Sequence, residues 1–154
     1  MRKLFISALF FAALCFKAQN YYAIDQFLTR LEERKGINQH LENVNIENKK
    51  FVLIKDFEDH TERKFIITKG KDATYVEMFD DKATGQSSSN VFSGDIIRKK
   101  NIISMRADKL ENKKIPIPVT KTLLLNKEKD IIYLIDINTR ERWIDEESYT
   151  KKSK

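Results

Sequence analysis

Between Thr120 and Ile137 the chain reads TKTLLLNKEKDIIYLIDI, with apolar runs at Leu123–Leu125 and Ile131–Ile135 on either side of a polar link, Asn126–Asp130. β-Branched and aromatic residues dominate the second run, which favours strand over helix. A link this short and charged predicts a hairpin. In a strand, Ile131, Tyr133, Ile135 and Ile137 point to one face, and Ile132 and Leu134 to the other. A strand apolar on both faces must be covered on both. The hairpin is therefore expected at the middle of a sheet that the remaining chain wraps or covers.

The same period-2 pattern starts at Lys50. Phe51–Phe57 and Lys64–Lys69 read as strands joined by a loop over Glu58–Glu62, and Lys69-Gly70-Lys71-Asp72 is a tight turn before Thr74–Phe79. A polar loop is expected over Asp80–Asn90. Val91-Phe92 and Ile96–Arg98 form one strand interrupted at Ser93-Gly94, where the glycine marks a bulge. Lys99-Lys100-Asn101 turns into Ile102–Ala107, and Asp108–Lys114 is a second polar loop. Ile115-Pro116-Ile117-Pro118 must be extended and cannot be fully paired, since proline has no N–H to give. Asn138-Thr139 turns into a last strand, Glu141–Ile144, anchored by Trp143. Links this short make neighbouring strands antiparallel.

Before the strands, Ile24, Phe27, Leu28 and Leu31 recur at the spacing of one helical face. Asn20 suits the N-cap, Arg34 and Lys35 the last turn, and Gly36 the stop. Ile37, Leu41 and Val44 extend the pattern as a second short helical piece. The mixed charge of the polar face favours docking on a sheet over peripheral contact with a membrane surface. The expected fold is thus mainly β (α+β): an N-terminal amphipathic helix over about 21–35, then an antiparallel meander of about eight short strands. Either a curved sheet packed on the helix or a small closed barrel satisfies it. No family motif is present; the N-terminal Gly-x-Trp of lipocalins is missing, and the single tryptophan, Trp143, lies near the other end.

Residues 1–19 stand apart. Arg2-Lys3 precedes an apolar run from Leu4 to Phe16, broken only by Ser7 and followed by Lys17-Ala18-Gln19. This tripartite form resembles bacterial signal peptides that end in an Ala-Gln junction. The resemblance implies cleavage near Ala18/Gln19 and a periplasmic or secreted domain over 20–148, with a loose basic tail at 149–154. The run is too short for a membrane span, so no transmembrane helix is expected in the mature chain. The only cysteine, Cys15, lies inside the signal, where Leu14 departs from a lipobox. The mature domain then has neither disulfide nor thiol chemistry. The formal charge of +6 comes from the two ends, Arg2, Lys3 and Lys17 and then Lys151, Lys152 and Lys154. The body between is balanced, which argues against nucleic acid as a partner.

No catalytic residues, cofactor or metal are expected. His60 sits among Glu58, Asp59 and Glu62 without a second histidine or a rigid frame. The Asp80–Asn90 stretch matches no calcium loop, and its serines have neither a nucleophile elbow nor a nearby histidine. The basic clusters Arg98–Lys100, Lys113-Lys114 and the Lys151–Lys154 tail would attract acidic surfaces only if brought together. The expected role is non-catalytic binding of a small apolar ligand, lined by Phe51, Tyr75, Phe92, Tyr133 and Trp143, or of a protein partner. One alternative is an inhibitor or immunity-type protein presenting Asp80, Asp81, Thr84 and Gln86. The other is a carboxylate-only hydrolase, whose sign would be burial of Glu77 or Asp136.

Overall fold

The computed structural model describes residues 21–30 and 41–150. The signal segment at 1–19, the expected continuation of the helix over 31–35 and the tail at 151–154 lie outside them. The chain divides into two compact units, Met1–Gly36 and Ile37–Lys154. In the first, residues 21–30 form helix α1, with Ile24, Phe27 and Leu28 on one face.

The second unit is a closed barrel of eight antiparallel strands. They are β1 (Lys50–Asp56), β2 (His60–Lys69), β3 (Asp72–Asp81), β4 (Ser87–Lys99), β5 (Ile102–Leu110), β6 (Lys113–Glu128), β7 (Ile131–Asp136) and β8 (Arg142–Asp145). Each strand pairs with its neighbours in sequence. β1 closes the ring against β8 through Phe51 opposite Asp145 and Val52 opposite Ile144. Closure decides between the two expected architectures and removes the open edges of a sheet. It also changes the place of the β6–β7 hairpin, because a ring has no middle strand.

The expected two-sided burial does hold. On β1, β7 and β8 the inward Phe51, Leu53, Leu134 and Trp143 are buried, and so are the outward Val52, Ile54, Tyr133, Ile135 and Ile144. Elsewhere the wall is one-sided. On β5, Ile103, Met105 and Ala107 are buried while Ile102, Ser104 and Arg106 are exposed.

Strands run further, and turns are tighter, than expected. β6 continues to Glu128 and turns at Lys129-Asp130, so Asn126–Glu128 is strand and not link. β5 and β6 turn at Glu111-Asn112 within the expected Asp108–Lys114 loop, and Ser87–Asn90 belong to β4. Polar residues do not end a strand whose neighbour still offers partners; positive backbone φ does. Lys100 (56°), Glu111 (49°), Asn112 (64°), Lys129 (55°) and Gly70 (61°) occupy that region at the hairpin tips.

Two irregularities follow the expectation. The β4–β5 register shifts between Ser93 and Gly94, where a Cβ on Gly94 would stand 2.0 Å from the Arg106 carbonyl oxygen. The β5–β6 register passes from Ala107 opposite Val119 to Lys109 opposite Lys114. Ile115–Pro118 thus oppose Asp108 alone, unpaired as two prolines require.

Two terminal expectations are corrected. Residues 41–49 contain no helix. Their carbonyls are gripped instead by Arg98, whose Nη1 donates to Val44 and Nη2 to Leu41, while Asn101 Oδ1 accepts the Leu41 N–H at 3.2 Å. Arg98 is therefore spent on the strap and not on a basic patch. At the other end, Glu146–Thr150 form a short helix, α2, where a loose tail was expected from Tyr149. Its Glu146 and Glu147 suit the positive N-terminal end, and they pair with Lys50 at 3.2 Å and Lys49 at 3.1 Å.

Candidate functional site

The barrel interior has an apolar end and a charged end. Phe51, Ile66, Ile103, Leu123 and Trp143 are fully buried and pack the first. Following the inward phase of each strand away from them leads to the second. β1 supplies Lys55 opposite Glu62 of β2. Lys64 of β2, Glu77 of β3 and Asn90 of β4 form one cross-strand row, and Glu62, Phe79 and Ser88 form the next. Lys121 of β6 stands opposite Met105, and Asp136 of β7 opposite Leu123. Glu141 precedes β8 in the phase of Trp143. These residues make up the barrel mouth.

Their side chains form separate pairs of opposite sign. Lys64 Nζ lies 3.1 Å from Glu62 Oε2, Lys121 Nζ lies 3.6 Å from Asp136 Oδ2, and Lys55 pairs with Glu141. The Tyr75 hydroxyl donates to Glu77 Oε1 at 2.6 Å. Burial pushes the Tyr75 hydroxyl well above the usual phenol range, and the Glu77 hydrogen bond and the nearby Glu141 and Glu62 charges push it further. Tyr75 is thus a fixed donor. Burial alone would raise the Glu141 carboxyl, but hydrogen bonds from Lys55 and Thr139 and the charges of Lys55 and Lys64 outweigh it and leave it lowered. Lys121 Nζ also stands over two rings, 5.0 Å from the centroid of Tyr75 and 5.4 Å from that of Trp143.

On the rim, His60 lies between two phenyl rings. Its centroid is 4.5 Å from that of Phe57 and 4.5 Å from that of Phe79, nearly parallel to both. Nδ1 meets Asp59 Oδ1 at 2.6 Å, and the hydrogen bond from His60 holds the Asp59 carboxyl below its usual range. Phe79 also walls a cavity of about 160 Å³ with Glu62, Lys64, Glu77, Ser88 and Asn90.

Of the five residues expected to line a ligand, three meet. The Tyr75 ring centroid is 5.7 Å from that of Phe92 and 5.9 Å from that of Trp143. Phe51 faces the same interior, in a cross-strand row with Ile66, Tyr75 and Phe92. Tyr133 faces the outside of the wall, with the Arg142 guanidinium 5.7 Å from its ring. Of the charged ring at the mouth, only Glu77 and Asp136 were named from the sequence as site candidates, the acids of a hydrolase. Its signal was available: Glu62 and Lys64 share the phase of Ile66, and Lys55 that of Phe51.

The Asp80–Gln86 residues are tied into their own hairpin. Arg63 Nε and Nη2 reach Asp80 Oδ2 at 2.8 and 2.7 Å. Asp81 Oδ1 accepts the N–H groups of Thr84 (2.8 Å) and Ala83 (2.9 Å), and that backbone hydrogen bonding, Thr84 first, lowers its carboxyl. Thr84 Oγ1 accepts the Gln86 N–H at 3.3 Å. Asp136 is buried, but its Oδ1 accepts the N–H groups of Asn138 (2.9 Å) and Thr139 (3.2 Å), so it braces the turn before β8.

At the apolar end, Lys49 Nζ pairs with Asp145 Oδ2 at 3.1 Å. The two respond differently. Burial raises the Asp145 carboxyl against the opposing ammonium. Lys49 would be lowered by burial, but hydrogen bonds to Asp145 and Glu147 leave it raised. Among the described residues, no helix is long and apolar enough to cross a membrane. No protein-family model, no curated protein and no solved structure matches this chain.

Proposed function

We propose that this chain is an exported binding domain without catalysis, and that its ligand is a small polar molecule held at the barrel mouth. The observation that carries this reading is the cavity of about 160 Å³ walled by Phe79, Glu62, Lys64, Glu77, Ser88 and Asn90. Small-molecule sites combine aromatic side chains with a few convergent polar groups; here the polar groups outnumber the single ring of Phe79. That lining supports a polar ligand over the apolar one expected from the aromatic residues, and the filled apolar end points the same way. Residues 1–19 support delivery to the periplasm or the exterior of a bacterium. A carboxylate-only hydrolase gains little support, since the buried Asp136 is occupied by its turn. The braced and exposed 82–86 turn favours a second reading, in which a protein partner docks there.

Native mass spectrometry of the protein purified from its own cell envelope tests the reading. The expected result is a small adduct, lost on denaturation and absent from a Phe79→Ala variant. A bare monomer mass overturns the ligand reading and leaves the partner reading, tested by deleting residues 82–86.

A further inference from the structure

We infer that the ligand at the mouth carries an ammonium group, and that the Glu77 carboxylate receives it beside the Phe79 ring. This rests on the small-ligand reading and names its chemistry. The cavity lining contains two carboxylates, Glu62 and Glu77, and one ammonium, Lys64. The ammonium is committed to Glu62, at 3.1 Å, although Lys64 stands directly opposite Glu77 in the β2–β3 register. Glu77 has a neutral partner, the Tyr75 hydroxyl at 2.6 Å on Oε1. Because burial and neighbouring carboxylates hold that phenol protonated, Tyr75 orients Glu77 without cancelling its charge. An anion entering the cavity meets this excess negative charge. A neutral guest leaves it uncompensated, whereas an ammonium group gives Glu77 the kind of cationic partner that Glu62, Asp136 and Glu141 have in lysines.

The rings support the same assignment. His60 takes one face of Phe79, yet Phe79 still walls the cavity, where its ring can face a cation. The barrel already holds one ammonium in this way, Lys121 above Tyr75 and Trp143. The hydroxyl of Ser88 and the amide of Asn90 remain for the polar remainder of the ligand.

The test is a titration of the full mature protein, followed by NMR, with two probes of matched length, putrescine and 1,4-butanediol. Putrescine is expected to shift the Glu77 and Phe79 resonances saturably, and butanediol to need at least tenfold higher concentration. Glu77→Gln is expected to weaken putrescine about tenfold or more, as loss of a charge-assisted hydrogen bond implies. The outward-facing Asp95→Asn should leave binding unchanged. Phe79→Leu provides a second variant should Glu77→Gln perturb the barrel, and it too should weaken putrescine. Equal affinity for the two probes, or putrescine binding indifferent to both variants, overturns the ammonium assignment while the small-ligand reading stands. Failure of both probes to bind also overturns it, and the adduct mass then decides the small-ligand reading independently.

Discussion

Two glycines show how differently one residue type can be required. At Gly94 the constraint is contact: a Cβ would stand 2.0 Å from the Arg106 oxygen and 2.5 Å from the Ala107 Cα, so backbone must move. At Gly85 nothing lies within 4 Å, and the constraint is its φ of +67°. Gly94→Ala is expected to cost about 2 kcal/mol or more, and Gly85→Ala about 1 kcal/mol. Paired urea melts check the order. Two carboxylates, one at the mouth and one at the seam, contribute to the acid response with opposite sign. Glu141 is lowered from 4.5 in the folded state, so the unfolded chain takes up this proton first as pH falls. Its contribution is present above about pH 4.5 and drains as pH falls through the lower folded value. Asp145, raised from 3.8, acts oppositely, favouring the folded state as pH falls from its folded value towards 3.8. Glu141→Gln should therefore flatten the loss of Tm between pH 5 and 3, read from melts in matched buffers. A slope identical to that of the parent refutes the assignment.

Among the elements, the strap at 41–46 depends most on one side chain. Arg98 donates to the carbonyls of Val44 and Leu41, and its Nη2 lies 3.4 Å from that of Glu42. Removing a charged donor from partly buried carbonyls costs roughly 1–3 kcal/mol. Arg98→Ala should speed amide hydrogen exchange over 41–46 while β4 and β5 keep their protection. Uniform loss of protection would mean that the strap belongs to the barrel's cooperative core. The short β8 is the counterpart on the seam. It has four residues, and Trp143 is its fully buried anchor. Trp143→Ala is expected to cost about 3–5 kcal/mol, with faster amide hydrogen exchange in β1 and β8 marking the opened ring. The strand count, the Gly94 bulge and the unpaired Pro116–Pro118 segment were legible because each rests on a local rule. Strand ends were not: Asn126–Glu128 and Ser87–Asn90 look like loop until a neighbour accepts them.

For the whole molecule, the mouth was illegible for a related reason. Lys55, Glu62, Lys64, Glu77, Lys121 and Glu141 come from five separate stretches, and only register and closure make them one ring. Each charge reads as solvent-facing while the direction of its strand is open. Tyr133 illustrates the converse. Both phases of β7 are apolar, so hydrophobicity alone could not say which of them turns inward. The three-ring stack at His60 joins residues separated by a turn and a full strand. The closure itself has a temporal side. β1 finds its second partner only in β8, the last of the eight strands, through two residue pairs. A polypeptide made from its N terminus carries β1 with one side unzipped through the synthesis of everything between. Commitment to the native ring is postponed until the final strand emerges, which keeps the nascent chain extensible and places the risk of mispairing with a neighbouring chain in that interval.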